Sequence, residues 1–321
     1  MSITAHPHAR PIPGLDGLVP RLALGSVNLT DERPEAGFAV LDAFAGRGGR
    51  LIDTALVYTA GHAERLIGRW LAARPETARS MLVLTKGAHP DAQWHSRISP
   101  AAIRADVELS LERLGRSPID AWMLHRDDES VPAAEVADAL AELVREGWVR
   151  AVGVSNWRPP RVRALVAATE ARGSTPVALV SNYLGLAEAV DFPWPGCVSG
   201  RDREALAWHA ATGTPFLAWS SQAGGYFAPG FDPAAAPDVV RSYGSAANEA
   251  RRARARELGR RRGWDAAQVA LAWVLSEPSA PFAAFGVRAP AGIEAAFAAL
   301  ESPLPEAERA WLDTGEGSGS A

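Results

Sequence analysis

Short apolar runs alternate with longer amphipathic stretches along almost the whole chain, and the alternation occurs eight times. The runs are residues 21–26 (RLALGS), 50–54 (RLIDT), 81–85 (MLVLT), 119–124 (IDAWML), 150–155 (RAVGVS), 176–181 (PVALVS), 215–220 (PFLAWS) and 281–286 (PFAAFG). Most are continuously hydrophobic, the pattern of strands covered on both faces. The stretches between them have helical period: in residues 63–73, Leu66, Ile67, Trp70 and Leu71 share one face. Residues 99–115 add punctuation, with Ser99 as N-cap, Pro100 at the first helical position and Gly115 as the stop.

Eight such units without a linker predict an α/β protein, a closed (β/α)8 TIM barrel in one domain over residues 1–321. The barrel should run from about 21 to 312, with a short N-terminal arm and a disordered polar tail, TGEGSGSA. An open doubly wound sheet would instead need a Gly-rich turn after the first strand. GSVNLTD in that place is no G-x-G-x-x-G, and no Walker sequence occurs. Two connections exceed the repeat, 182–200 and 220–245, both rich in Gly, Pro and aromatic residues. Connections of this length usually cover a site or lack fixed structure.

With 321 residues and 47% hydrophobic content the chain can bury a large core. Its formal charge of −4 and pI near 6.0 provide no bulk attraction to nucleic acid or to anionic membranes. The basic run at 251–264 (RRARARELGRRRGW) therefore reads as a solvated helix face. No run reaches membrane-spanning length, and the first 25 residues lack a signal-type apolar stretch. The lone cysteine, Cys197, has no ligand-spaced companions, and HPHAR near the N-terminus has too few ligands for a metal. The expectation is a soluble, cytoplasmic protein with no metal, no nucleic-acid partner and no membrane partner.

One composition detail changes the picture. Of the 33 Lys plus Arg residues, Lys86 is the sole lysine, and it follows the apolar run MLVLT. An ammonium is a compact point charge whose pKa moves on burial, whereas a guanidinium is a wide fork that stays protonated. In a barrel the chemistry gathers where strands end. The second strand ends in Asp53, the third leads to Lys86 and the fourth to His125, while Tyr58 stands five residues beyond Asp53. An acid, an amine, an imidazole and a phenol thus share one rim.

With IDTALVY, LTKG and MLHRDD in place, the sequence resembles the aldo-keto reductase family over about residues 21 to 312. The resemblance implies that Asp53, Tyr58, Lys86 and His125 form the family's catalytic tetrad. The physics agrees. Hydride addition to a carbonyl leaves an alkoxide that needs a proton, and Tyr58 can give it if Lys86 favours the phenolate, with Asp53 holding the ammonium. His125 would orient the carbonyl.

The resemblance also implies a nicotinamide dinucleotide, NADPH with NADH as the alternative. VGVSNW places Ser155 and Asn156 at the family's nicotinamide-binding pair, and LAWSSQ places Trp219, followed by Ser220, where the family stacks an aromatic ring. FGVRAPAGIEAAF occupies the adenosine-phosphate segment, with Gly286 in the turn and Arg288 able to clamp a 2′-phosphate. Two departures stand out: ALVSNYLG lacks the family's Gln, leaving Ser181 or Asn182 to substitute, and Ile293 to Phe297 is apolar where a further Arg or Asn is common. Trp94, Trp157, Tyr183, Trp194, Tyr226 and Phe227 are candidates for an apolar pocket wall. The expected substrate is an aldehyde or ketone of moderate size, with broad tolerance. The rival readings are a non-catalytic NADP(H)-binding regulatory subunit and a Schiff-base lyase using Lys86.

Overall fold

The computed structural model describes residues 8–317. The eight apolar runs form strands β1 (Leu22–Gly25), β2 (Leu51–Asp53), β3 (Leu82–Gly87), β4 (Ile119–Leu124), β5 (Val149–Ser155), β6 (Val177–Tyr183), β7 (Phe216–Trp219) and β8 (Phe282–Phe285). All neighbours pair in parallel, and β8 pairs with both β7 and β1, closing the barrel. The expected (β/α)8 architecture is therefore present.

Local signals act where the sequence placed them. The helix Pro100–Leu114 begins with Ser99, whose Oγ accepts from the Ala102 amide, and ends at Gly115 with φ of 58°. A serine cap of this kind contributes about 1 kcal/mol. In the helix His62–Ala73, Leu66, Ile67, Trp70 and Leu71 are buried against the sheet. Each such side chain contributes roughly 1.5–3 kcal/mol relative to exposure.

Two cores result from the doubly covered strands. The larger lies between sheet and helices; the smaller fills the barrel and includes Ala23, Ala121, Ala151, Ala178 and Ala284 beside Met123 and Phe282. Short side chains leave room for the few large ones in a narrow interior. Ile12 and Val19 join this inner core from the N-terminal segment. There Ala9–Arg10 pairs antiparallel with Val19–Pro20, and Arg10 Nη1 donates to the carbonyls of Ser279 and Ala280, both at 2.9 Å. What the sequence offered only as an arm is a hairpin that plugs the end of the barrel where the strands begin.

Two expectations need correction, and one left open is resolved. The basic run lies in the helix Ala246–Arg262, but Arg251 and Arg252 are buried rather than solvated. Arg251 pairs with Glu188 at 2.5 Å and Asp313 at 3.0 Å, and Arg252 sits 5.2 Å over Tyr226 and 4.6 Å over Phe231. Carboxylates and ring faces from other segments meet these cations, which a one-dimensional charge count misses. The long connection 220–245, which the sequence left open between covering a site and lacking fixed structure, has structure of its own, a turn at Ala223–Gly225 and the helix Pro237–Tyr243. Of the tail read as disordered, Thr314 closes the helix Glu306–Thr314 and Gly315 caps it; residues 318–321, like His6 of HPHAR, lie outside the described residues. Among the described residues no helix is long and apolar enough to cross a membrane.

Candidate active site

The strand ends bring Asp53, Lys86 and His125 together inside the mouth, all nearly inaccessible to water, with Tyr58 partly exposed beside them. Lys86 Nζ donates to Asp53 Oδ1 at 2.5 Å, to the Thr54 carbonyl at 2.9 Å and to the Tyr58 hydroxyl at 3.4 Å. Its three N–H bonds therefore each have an acceptor. An amine held in this way is a poor Schiff-base nucleophile, because it must lose a proton first. The Tyr58 ring lies 5.8 Å from the His125 ring, edge to face.

Electrostatics follow from burial and neighbours. Burial alone pulls the Lys86 ammonium down, but Asp53 and Tyr58 outweigh it and the net direction is up. Burial pushes the Asp53 carboxyl above the usual carboxylate range against the pull of Lys86. For Tyr58, burial again raises the pKa and Lys86 draws it back only in part. The expected net lowering of the phenol is therefore absent in this protein alone, because desolvation of the phenolate exceeds the attraction of one ammonium. His125 is held well below the ordinary imidazole value, first by burial and then by Lys86, Arg126 and His89, so its ring is neutral near pH 7.

Supporting side chains fix this group. Thr85 donates to Glu64 at 2.6 Å, and Arg113 reaches Glu64 at 3.3 Å and the Leu56 carbonyl at 2.9 Å, tying the Tyr58 loop to the Lys86 strand. Asp106 accepts from the Ala88 amide at 2.7 Å and also pairs with Arg97. Gly87 is required between them, since a Cβ there would stand 2.5 Å from Trp122 and 2.9 Å from Asp106. The backbone around the mouth is strained: Thr59, Ala60, Ala88, Asn156 and Ser220 have φ of 46°, 54°, 51°, 60° and 55°. Non-glycine residues adopt such angles at a cost of order 1–3 kcal/mol each, and they cluster at functional sites.

The residues expected at the cofactor fall into two groups. Ser155, Asn156 and Trp219 are joined: Asn156 Nδ2 donates to the His125 carbonyl at 3.3 Å and to Ser155 Oγ at 3.0 Å, while its Oδ1 accepts from Trp219 Nε1 at 3.2 Å and the Val198 amide at 3.4 Å. Asn156 is thus spent on bracing the mouth, whereas the Ser155 hydroxyl keeps its own proton to donate. Ser220 Oγ accepts from Gly224 N at 3.1 Å. Gly286 and Arg288 stand apart in the exposed turn after β8. Buried polar atoms without a hydrogen-bond partner recur at the strand ends: Ser26 Oγ after β1, Thr54 Oγ1 after β2, His125 Nδ1 after β4, and Ser181 Oγ and Asn182 Oδ1 in β6. Native proteins leave few such atoms unpaired. A ligand rich in polar groups fits this rim.

Of the candidate wall residues, Trp157, Tyr183, Tyr226 and Phe227 are core, at 0–1% exposure, and only Trp94 at 44% and Trp194 at 51% face solvent. Sequence reasoning missed two residues near this group of four. His89 packs edge to face on His125 with ring centres 5.0 Å apart. Arg126 is buried with no ion-pair partner among the described residues, donating to the carbonyls of His125 at 2.8 Å and Pro195 at 3.3 Å. Adjacency was the available signal, since His89 is three residues past Lys86 and Arg126 follows His125.

Comparison with known proteins gives concordant results. The family model described as Aldo/keto reductase family matches residues 21–314. An aldo-keto reductase of Fusarium vanettenii is 28% identical over 313 residues, 87% of this chain and 81% of the relative. The 6-dehydroglucose reductase of Agrobacterium fabrum is 30% identical over 258 residues, 78% of this chain and 77% of the relative. Among solved structures, the glycerol dehydrogenase of Gluconobacter oxydans superposes with a TM-score of 0.76 at 25% identity, covering 95% of this chain and 94% of that one. An aldo/keto reductase of Klebsiella pneumoniae, solved with NADP and acetate, has a TM-score of 0.69 at 24% identity, covering 92% and 91%, and shares the fold.

Proposed function

Because this chain belongs to the aldo/keto reductase family, we propose that it reduces an aldehyde or ketone to the alcohol with NADPH, Tyr58 giving the proton. The observation that carries this reading is the line Asp53–Lys86–Tyr58, closed at 2.5 and 3.4 Å beside a neutral His125.

The reduced nicotinamide, when bound, supplies the hydride that reaches the carbonyl carbon. The chain supplies the rest. The carbonyl oxygen sits between the Tyr58 hydroxyl and the His125 ring and gains the Tyr58 proton as negative charge develops on it. Lys86 then stabilises the phenolate left behind, and Asp53 keeps Lys86 charged and in place. Solvent returns the proton to Tyr58 through the open side of the mouth. His125, being neutral, directs a hydrogen bond at the oxygen without competing as an acid.

For the dinucleotide, the Ser155 hydroxyl is the available donor to the carboxamide and Trp219, braced by Asn156, offers a ring face. Arg288 is the candidate for the 2′-phosphate that distinguishes NADPH from NADH. NADP in the Klebsiella pneumoniae structure supports this choice. The names of the Agrobacterium fabrum and Gluconobacter oxydans proteins support a carbonyl or alcohol carrying further hydroxyls. A single barrel domain in a cytoplasmic setting completes the reading.

The test is to follow NADPH binding by tryptophan quenching and its consumption with a panel of aldehydes, in wild type and Tyr58→Phe. Binding with turnover that collapses in the variant is expected. Absence of nucleotide binding overturns the reading, and binding without turnover favours a regulatory subunit.

A further inference from the structure

Tyr58, His125, His89 and Trp94 form a continuous row of rings leading outward from the proposed proton donor, with centres 5.8, 5.0 and 5.6 Å apart. The third member of the row has no part in the chemistry described above. His89 Nδ1 lies 2.9 Å from the carbonyl oxygen of Pro90. A carbonyl oxygen only accepts, so Nδ1 carries the proton and Nε2 is left as a lone pair. Nε2 has no protein partner among the described residues, although the ring is wedged between two others and half-buried.

The strained turn at Ala88, fixed by Asp106, aims the following residue across the mouth. The ring is thereby fixed in both position and tautomer. Such an atom offers one thing, a hydrogen-bond acceptor placed one ring beyond the group that orients the carbonyl. Its partner must be a donor. Lys86 and Arg126 both lie on this side of the site, and Arg126 acts on His89 as well as on His125, so a cationic donor is repelled. A neutral donor is favoured, and a substrate hydroxyl is one.

We propose that His89 is a specificity-determining residue that accepts a hydrogen bond from a hydroxyl on the carbon next to the substrate carbonyl, selecting α-hydroxy aldehydes and ketones over plain alkyl ones. Trp94, exposed beyond His89, then offers a flat face to the C–H side of a longer hydroxylated chain. The inference rests on the carbonyl-reductase reading and refines its substrate class. The selectivity arises as much from the penalty for a plain substrate, which buries the His89 lone pair unpaired, as from the bond itself.

The experiment compares kcat/KM for D-glyceraldehyde and for propanal, with NADPH, in wild type, His89→Phe and His89→Gln. Aldehyde concentrations are taken as the free, unhydrated form, so that hydration enters neither the wild-type ratio nor its change between variants. Wild type should favour D-glyceraldehyde by at least about tenfold, His89→Phe should lose most of that ratio, and His89→Gln, which retains an acceptor, should keep it within about threefold. A wild-type ratio near one, or a ratio that His89→Phe leaves intact, overturns the inference while propanal turnover leaves the reductase reading standing. No turnover of either aldehyde by wild type overturns both.

Discussion

Trp219 Nε1 donates to Asn156 Oδ1 at 3.2 Å, linking the end of β7 to the end of β5 across the mouth. The amide of Asn156 is satisfied on every side by protein, so it acts as a bracket for the indole. Asn156→Ala should therefore release the half-buried indole N–H at a cost of about 0.5–1.5 kcal/mol. It should also weaken NADPH binding, seen as a lower Tm together with a raised Kd in a quenching titration. Unchanged Tm and Kd would show that the bracket is dispensable.

Lys86→Arg is predicted to be as damaging as Lys86→Met. The ammonium meets three acceptors in a slot with 2% exposure, and a planar guanidinium cannot match them. Turnover should fall by roughly 10²–10⁴-fold in both variants, the range associated with losing assisted proton transfer. An arginine variant with near wild-type kcat would contradict the assignment.

Gly87→Ala tests the packing that holds the lysine strand. The added methyl would approach Trp122 to 2.5 Å, too close without displacement of the indole or of Asp106. Overpacking of this kind costs about 1–3 kcal/mol. A thermal melt should register a lower Tm, and kcat should fall with it as Lys86 moves.

Stability should decline as pH falls from about 7.5 to about 6. His125, His89 and His209 are each lowered first of all by burial. Their contribution is complete above the free imidazole value of about 6.5 and is lost as pH falls towards the folded values, because the unfolded chain takes up protons that the folded chain refuses. Buried Asp53, Asp120 and Asp127 shift upward and act with the opposite sign at lower pH, so the comparison stays above about pH 6. Urea midpoints across this range should fall for wild type and fall less for His209→Gln; identical slopes would refute the argument.

The barrel and the meeting of Asp53, Tyr58, Lys86 and His125 at its mouth were legible because each rests on short-range signals: apolar runs for the strands, and chemistry-bearing residues at fixed offsets from their ends. Tertiary contacts decided the remainder. Nothing in ARPIPGLDGLVPR announces that Ile12 and Val19 enter the barrel, since two-residue strands carry no periodicity. The depth of Arg251 and Arg252 depends on Glu188, Asp313, Tyr226 and Phe231, all distant in sequence. The direction of the Tyr58 shift was misjudged for a related reason, because the neighbouring charge is visible in sequence order and the degree of desolvation is not.

The burial of Lys86 also determines how this chain meets amine-directed reagents. Folded, it presents no side-chain amine to acylating, reductively alkylating or crosslinking chemistry, because its one ammonium is enclosed and bonded to Asp53. Modification at that position thus reports opening of the barrel mouth, and its rate is a built-in clock for local unfolding at the site.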